Sequence, residues 1–238
     1  MPIPCASCAV PMEVLPLSNH LGGVVEIDVC WPCHVIWFDN LESTSLSPAS
    51  VIDLFKRIHD ARDKGRNTVS LTPSCPGCSR GLSLTNDITK SGRFSYHRCP
   101  TGHGRLISFA QFLREKQFVR TLQPAELAQM KLTIKQIRCS SCGGPVDLTG
   151  DTACTHCGAA ISVLDEEAVQ KALAGLQRAD SATRGPRDPV AVADALLDTR
   201  RAPPRPATPW WTHPMRPGGG IADLVDVGID LALSRFFR

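Results

Sequence analysis

Cysteine spacing limits what this chain can fold into more tightly than any other feature. Ten of its eleven cysteines form five CxxC pairs, Cys5/Cys8, Cys30/Cys33, Cys75/Cys78, Cys139/Cys142 and Cys154/Cys157. The eleventh is Cys99, and a CxxxH spacing links it to His103. A disulfide framework would leave one thiol over. Paired CxxC knuckles read instead as zinc ligands, because the two-residue spacer lets both sulfurs and the following backbone amides wrap one ion. The spacing therefore predicts three structural Zn2+ ions. The ligand sets are Cys5, Cys8, Cys30 and Cys33, then Cys75, Cys78, Cys99 and His103, then Cys139, Cys142, Cys154 and Cys157. Every cysteine is then used once. His97 lies two residues before Cys99, shares its strand face and competes with His103 as fourth ligand of the second set. The CxxxH spacing and the flanking Gly102 and Gly104 favour His103.

First ligands at positions 5, 75 and 139 divide the chain into three units, each expected to be a zinc ribbon of short antiparallel strands followed by an α-helix. The expected fold class is small α+β, stabilised by metal. Its units are residues 1–65, 66–124 and 125–180, followed by a disordered Pro/Arg-rich linker at 181–220 and an amphipathic helix at 221–238. Val25, Ile27 and Val29 alternate in "GGVVEIDVC" as a strand entering the second knuckle, and "RFSYHRC" takes the same place in the second unit. In the third, "PVDL", a Gly150-Asp151 turn and "CTHCGAAISV" predict a hairpin between two knuckles. Ser47 as N-cap and Pro48 at N1 predict a helix with Val51, Ile52, Phe55 and Ile58 on one face. "LISFAQFLREKQFVRTL" and "DEEAVQKALAGLQRA" predict the helices of the second and third units. A structural zinc site contributes roughly 10–16 kcal/mol at neutral pH, against about 3–5 kcal/mol net from so small a core. Metal is expected to dominate, and metal-free units to be unfolded.

The stretch "CWPCHVIWFD" places Val35, Ile36, Trp37 and Phe38 directly behind a knuckle, in a chain with one tyrosine and 5% aromatic residues. A zinc ribbon has little core of its own, so Ile36, Trp37 and Phe38 are expected to cover its flank and seat the next helix. Together, "CASCAVPME" and "VVEIDVCWPCHVIWFDNLE" resemble the bacterial zinc ribbons of the transcription-factor-IIB type, over about residues 5–45. That family's pattern is a CxxC, an apolar strand, a second CxxC, then Gly-Ile-Trp-Phe/Leu-Asp and a nearby glutamate. The resemblance implies Cys5, Cys8, Cys30 and Cys33 as ligands and Trp37, Asp39 and Glu42 as flanking positions, with Val35 where the family usually has glycine. It bears on fold and metal rather than on an activity. The second and third units resemble zinc ribbons in general.

All three ligand sets are closed at four, whereas a catalytic zinc keeps an open position for water beside a carboxylate base. The chain contains no HExxH, Walker loop, GxGxxG or nucleophile elbow. A non-enzymatic protein without a small-molecule substrate is expected. His20, His59 and His213 are isolated and read as solvated or locally bonded. Charge is uneven: residues 66–124 carry nine Lys or Arg against Asp87 and Glu115, while residues 1–65 carry four against eight acids. Arg93, Arg98 and Arg105, with Phe94 and Tyr96 interleaved as stacking platforms, could form a phosphate-facing surface. A solvated basic face, with both rings in the ribbon's own packing, fits the same residues.

Trp210 and Trp211 stand in the Pro/Arg-rich stretch as an anchor for a groove on the protein or on a partner. "IADLVDVGIDLALSRFF" is helical by period, with Asp223, Asp226, Asp230 and Ser234 as a narrow polar stripe. Ile221, Leu224, Val225, Ile229 and Phe236 belong to its apolar remainder. Too short and too acidic for a bilayer, this segment is expected to bury against a protein partner or another copy of the chain. The expected function is a zinc-binding adaptor; the alternative is a nucleic-acid-binding or transcription-associated protein using the basic middle unit. With no run of eighteen apolar residues and no signal-like pattern at residues 1–10, a cytoplasmic location is expected.

Overall fold

Five CxxC knuckles reverse the chain by one shared device. The residue after the second cysteine, Ala9, His34, Ser79, Gly143 or Gly158, is left-handed, with φ of 60°, 53°, 59°, 77° and 71° respectively. In four of them the first cysteine's N–H closes the loop, Cys5 on Val10, Cys75 on Arg80, Cys139 on Gly144 and Cys154 on Ala159, at 2.8–2.9 Å. Only two of the five are glycine, so Ala9, His34 and Ser79 hold a conformation costing roughly 1–2 kcal/mol each. Where the family resemblance places a glycine turn at Val35, the turn falls one residue earlier, at His34, and Val35 is already in a strand.

The computed structural model describes residues 2–39, 42–61, 66–89, 92–171 and 174–175. Strands β1 (Glu13–Ser18), β2 (Val24–Cys30) and β3 (Val35–Phe38) grow from the first two knuckles, and β4 (Ser83–Thr89), β5 (Gly92–Arg98) and β6 (Arg105–Ser108) repeat the pattern. The two sets are not separate units. β3 pairs antiparallel with β6, Val35 opposite Ser108 and Phe38 opposite Arg105, which joins them into one sheet of order β1-β2-β3-β6-β5-β4. Equivalent positions stand seventy residues apart: Cys5 and Cys75, Ala9 and Ser79, Cys33 and His103, His34 and Gly104. The bridges Pro4–Pro11 and Ser74–Gly81 keep the same offset. A pseudo-twofold axis therefore runs through the β3–β6 pair.

Because successive residues of a strand face opposite sides, β3 feeds two cores. Ile36 and Phe38 enter one, with Leu15, Ile27 and residues of α2 (Pro48–Asp60) and α3 (Phe109–Glu115). Ser47 caps α2 by accepting the Ser50 N–H, and Val51, Ile52, Phe55 and Ile58 are buried beneath it, as the helix period predicts. Val35 and Trp37 enter the other core, with Leu106, Met130, Ile137 and cysteines of all three sets. A short α1 (Glu42–Ser45) links β3 to α2.

The second predicted helix is shorter than its periodicity suggests. α3 ends at Glu115, where Gln117 turns left-handed at φ 66° and Phe118 donates to Leu113 O at 2.8 Å, a Schellman-type stop without glycine. The following residues form β7 (Val119–Thr121), which pairs with β10 (Ser162–Leu164), and then α4 (Pro124–Lys131). The third unit's hairpin also differs from expectation. β8 (Gln136–Arg138) and β9 (Pro145–Asp147) pair around the Cys139/Cys142 knuckle, while the strand after Cys157 leaves for β7. Residues 166–171 are helical, with Asp165 accepting the Ala168 N–H at 3.2 Å. The linker at 181–220 and the segment at 221–238, with Trp210, Trp211, Ile221, Leu224, Val225, Ile229 and Phe236, lie outside the described residues.

Gly104 is the tightest point of the β3–β6 junction. Its φ is 142°, and a Cβ there would meet Phe38 O at 2.4 Å and Trp37 Cε2 at 2.9 Å. Gly104→Ala is therefore expected to lower unfolding free energy by about 3 kcal/mol or more. Gly81→Ala, where a Cβ meets nothing within 4 Å, is the matched control, and chemical denaturation of the zinc-loaded protein measures both.

Candidate metal centres

The cysteines and histidine singled out by spacing converge in space. Each of the three sets holds its four ligand atoms within 4.8 Å of one another. Sulfur separations are 3.6 Å for Cys8–Cys30 and Cys139–Cys157, and 3.7 Å for Cys78–Cys99 and Cys142–Cys154. A disulfide needs about 2.05 Å, and all eleven cysteines are free. Four thiolates bound at about 2.3 Å around zinc stand about 3.8 Å apart at the corners of a tetrahedron. The separations fit that figure, and eleven thiolates with one imidazole are the donors that zinc prefers. The three sets are consistent with three structural zinc ions.

In the second set the fourth ligand atom is His103 Nδ1, 3.5 Å from Cys99 Sγ and 3.7 Å from Cys75 Sγ. The ring packs against Gly77, where a Cβ would stand 3.4 Å from it, in van der Waals contact. His97 stays apart in β5, where it lines a cleft with Leu84, Leu106 and Gln111 and burial pushes its pKa down. Thr101 was not foreseen from the sequence. Its Oγ1 lies 3.0 Å from Cys99 Sγ, 3.3 Å from Cys78 Sγ and 3.1 Å from His103 Nδ1. Burial pushes the Cys99 thiol up, but the Thr101 hydroxyl and the backbone N–H groups of His103 and Thr101 bring it down to about 5. A hydroxyl between two ligands of a CxxxH turn was the available signal. Backbone amides assist the other sets, Ser7 N–H on Cys5 Sγ and Gly144 N–H on Cys142 Sγ, both at 3.4 Å.

The segment from residue 66 to residue 74, which leads into the second donor set, straps the knuckles together. Asn67 N–H donates to Pro32 O at 2.7 Å and Val69 N–H to Cys142 O at 2.9 Å. Ser70 N–H donates to Ser7 Oγ at 2.9 Å, Ser74 N–H to Ala6 O at 3.1 Å and Arg66 Nη2 to Ser140 O at 2.6 Å. Backbone of the first and third sets is thereby held by one strand of chain. The flanking positions of the first set have defined roles. The Trp37 indole N–H donates to Asp39 Oδ1 at 2.9 Å, and Glu42 accepts the Asp39 backbone N–H at 2.8 Å.

Of the three arginines considered for phosphate contact, Arg93 and Arg98 are exposed. Arg105 is not available. It pairs with Glu115 at 2.6 Å, donates to Ser43 Oγ and lies 4.8 Å above the Tyr96 ring. Phe94 is 4% exposed and Tyr96 stacks on it at 5.9 Å, so both rings belong to the unit's packing. Arg114 is buried and bonded to Thr121 and Ser162, and Arg120 forms a two-pronged pair with Glu126. No helix among the described residues is long and apolar enough to cross a membrane. No family model, no curated protein and no solved structure matches this chain.

Metal analysis of the purified protein is expected to find three zinc ions per chain, and their removal by a chelator to abolish the near-ultraviolet circular dichroism of Trp37 packing. A second expectation concerns Glu42. Burial raises its pKa from 4.5 to about 7; the Asp39 N–H opposes the shift, while the charges of Asp39, Asp28 and Glu26 add to it. The folded state holds this proton more tightly than the unfolded one, so the group's cost to folding is absent below pH 4.5, grows as pH rises from 4.5 to 7 and is full above 7. Glu42→Gln should therefore raise the melting temperature most at pH 8, with the gain shrinking by pH 6.

Proposed function

We propose that the protein is a non-enzymatic adaptor built on three zinc ribbons, the first of the transcription-factor-IIB type, that acts by protein–protein interaction. One observation carries this reading: each candidate site presents four protein donors, and donors of all three sets line one core. A zinc ion with four protein ligands has no place for a substrate, and its role is to hold backbone in place. Reduced thiols used as ligands suit a reducing compartment, in keeping with a cytoplasmic location. The part that reaches a partner is the apolar segment at 221–238, through Ile221, Leu224, Val225, Ile229 and Phe236, with Trp210 and Trp211 as a further anchor. Nucleic-acid binding through the middle unit is the weaker reading, because the Arg105 guanidinium is held by Glu115 and Phe94 is buried.

Affinity purification from the native host with the full chain and with residues 1–220 tests the adaptor. Both should carry three zinc ions, and only the full chain should retain its partner. Equal capture by the two would overturn the role given to 221–238. The charge reversals separate the two readings further. Arg93→Glu with Arg98→Glu should leave stability unchanged, and no salt-dependent binding of DNA or RNA should be measurable in the wild type. Arg105→Glu, which sets a carboxylate against Glu115, should destabilise the protein by about 3 kcal/mol. Tight binding that weakens by on the order of a thousandfold between low and moderate salt would establish a phosphate surface instead.

A further inference from the structure

The two outer edges of the six-stranded sheet are unequal, although pseudo-symmetry makes them equivalent. On β1, the edge is closed twice. Pro16 has no N–H, and Ser18 O accepts from Ser47 N–H at 3.0 Å and Ser50 Oγ at 2.8 Å at the start of α2. The seventy-residue offset puts Asn86 of β4 where β1 has Pro16. Among the described residues nothing comparable covers β4. Its pairing with β5 also shows which groups are free. Ser95 sits opposite Asn86, but its N–H is turned away, donating to Gln111 Oε1 at 2.9 Å. Pairs in an antiparallel ladder alternate between bonded and non-bonded. Leu84, Asn86 and Ile88 therefore direct their backbone N–H and C=O outward. Among the described residues Ile88 N–H, on that outer side, is met by the neighbouring Asp87 carboxylate alone, at 2.9 Å.

The side chains at this edge complement themselves. Leu84 is 59% exposed and Ile88 73% exposed, both among the exposed large apolar side chains of the described residues. In an antiparallel pairing of β4 with itself about Asn86, Leu84 stands opposite Ile88 of the other copy, and Thr85 opposite Asp87. Each apolar side chain is covered by the other, and no carboxylate faces a carboxylate. Asp87 of each copy lies on the sheet face that carries the other copy's exposed Arg98, two strands away. A strand of seven residues spans about 23 Å, a contact length that suits a transient rather than a permanent interface.

We infer that β4 is a docking edge for a second copy of this chain, joining two six-stranded sheets into one continuous sheet as a reversible dimer of micromolar affinity. This goes beyond the adaptor reading and does not depend on residues 221–238. Light scattering and sedimentation of the full zinc-loaded chain over a range of concentrations test it. The mass should rise from 25.8 kDa toward twice that value. Asn86→Pro copies onto β4 the residue that the equivalent position of β1 already tolerates, and removes the central N–H from both copies. It should weaken dimerisation by at least about tenfold, with zinc content and far-ultraviolet circular dichroism as in the wild type. The double variant Leu84→Lys with Ile88→Lys, confined to exposed side chains, should do the same by charge repulsion. A chain that stays monomeric at every concentration overturns the inference. So does a dimer that both β4 variants leave intact, including one lost only when residues 221–238 are removed.

Discussion

The pairing of β3 with β6 is the contact on which the rest of the structure depends. A CxxC knuckle with its strands has one wet face and almost no interior, and two such units side by side would bury little. Aligning Ile36 with Ile107 and Trp37 with Leu106 makes four apolar residues the centre of a sheet rather than its rim. Both faces of that centre then become cores. One is roofed by α2 and α3, and the other by the third unit with the cysteines of all three sets. Gly104 is glycine because Phe38 O and the Trp37 ring occupy the space where a side chain would begin.

Metal and packing therefore do different work. Four-donor sites close loops of chain that have too little apolar surface to hold themselves, and each supplies roughly 10–16 kcal/mol of apparent binding free energy. They cannot by themselves orient one unit against another. That falls to Trp37, Leu106 and Met130, each 2% exposed or less and each contributing about 1.5–3 kcal/mol by burial, and to the strap of residues 66–74. An isolated unit would expose these side chains. The assembled one depends on both, because the cysteines are themselves walls of the second core.

The donor sets and the first two units' strands were legible in the sequence because they rest on local signals: fixed spacers, period-two alternation in Val25, Ile27 and Val29, and a Ser47-Pro48 helix start. What was not legible depends on long-range pairing. Nothing in "VIWF" or "RLIS" announces that the two strands meet across seventy residues. The end of α3 was missed because its stop is at Gln117, a residue without the usual glycine signal, and "FVRT" continues an apolar period that the third unit's β10 captures as a strand. Thr101 was missed for a similar reason: a hydroxyl next to a ligand has meaning only once the turn has brought it to three donors.

Divergence between the two pseudo-symmetric halves explains the uneven charge. Position 35 is valine in the first half, and its equivalent in the second is Arg105. An arginine on a central strand needs a counter-charge and a surface for its stem, and Glu115, Ser43 and the Phe38 and Tyr96 rings provide them. Lys116 joins the same cluster through Glu115, and Arg114 reaches Thr121 and Ser162 at the β7–β10 pair. Basic residues of the middle unit thus connect it to its neighbours where the first unit uses apolar contacts. The cost of that exchange is coverage. α2 spans 13 residues and roofs β1, whereas α3 spans 7, and among the described residues no helix start meets the outer strand of the second half as α2 meets β1.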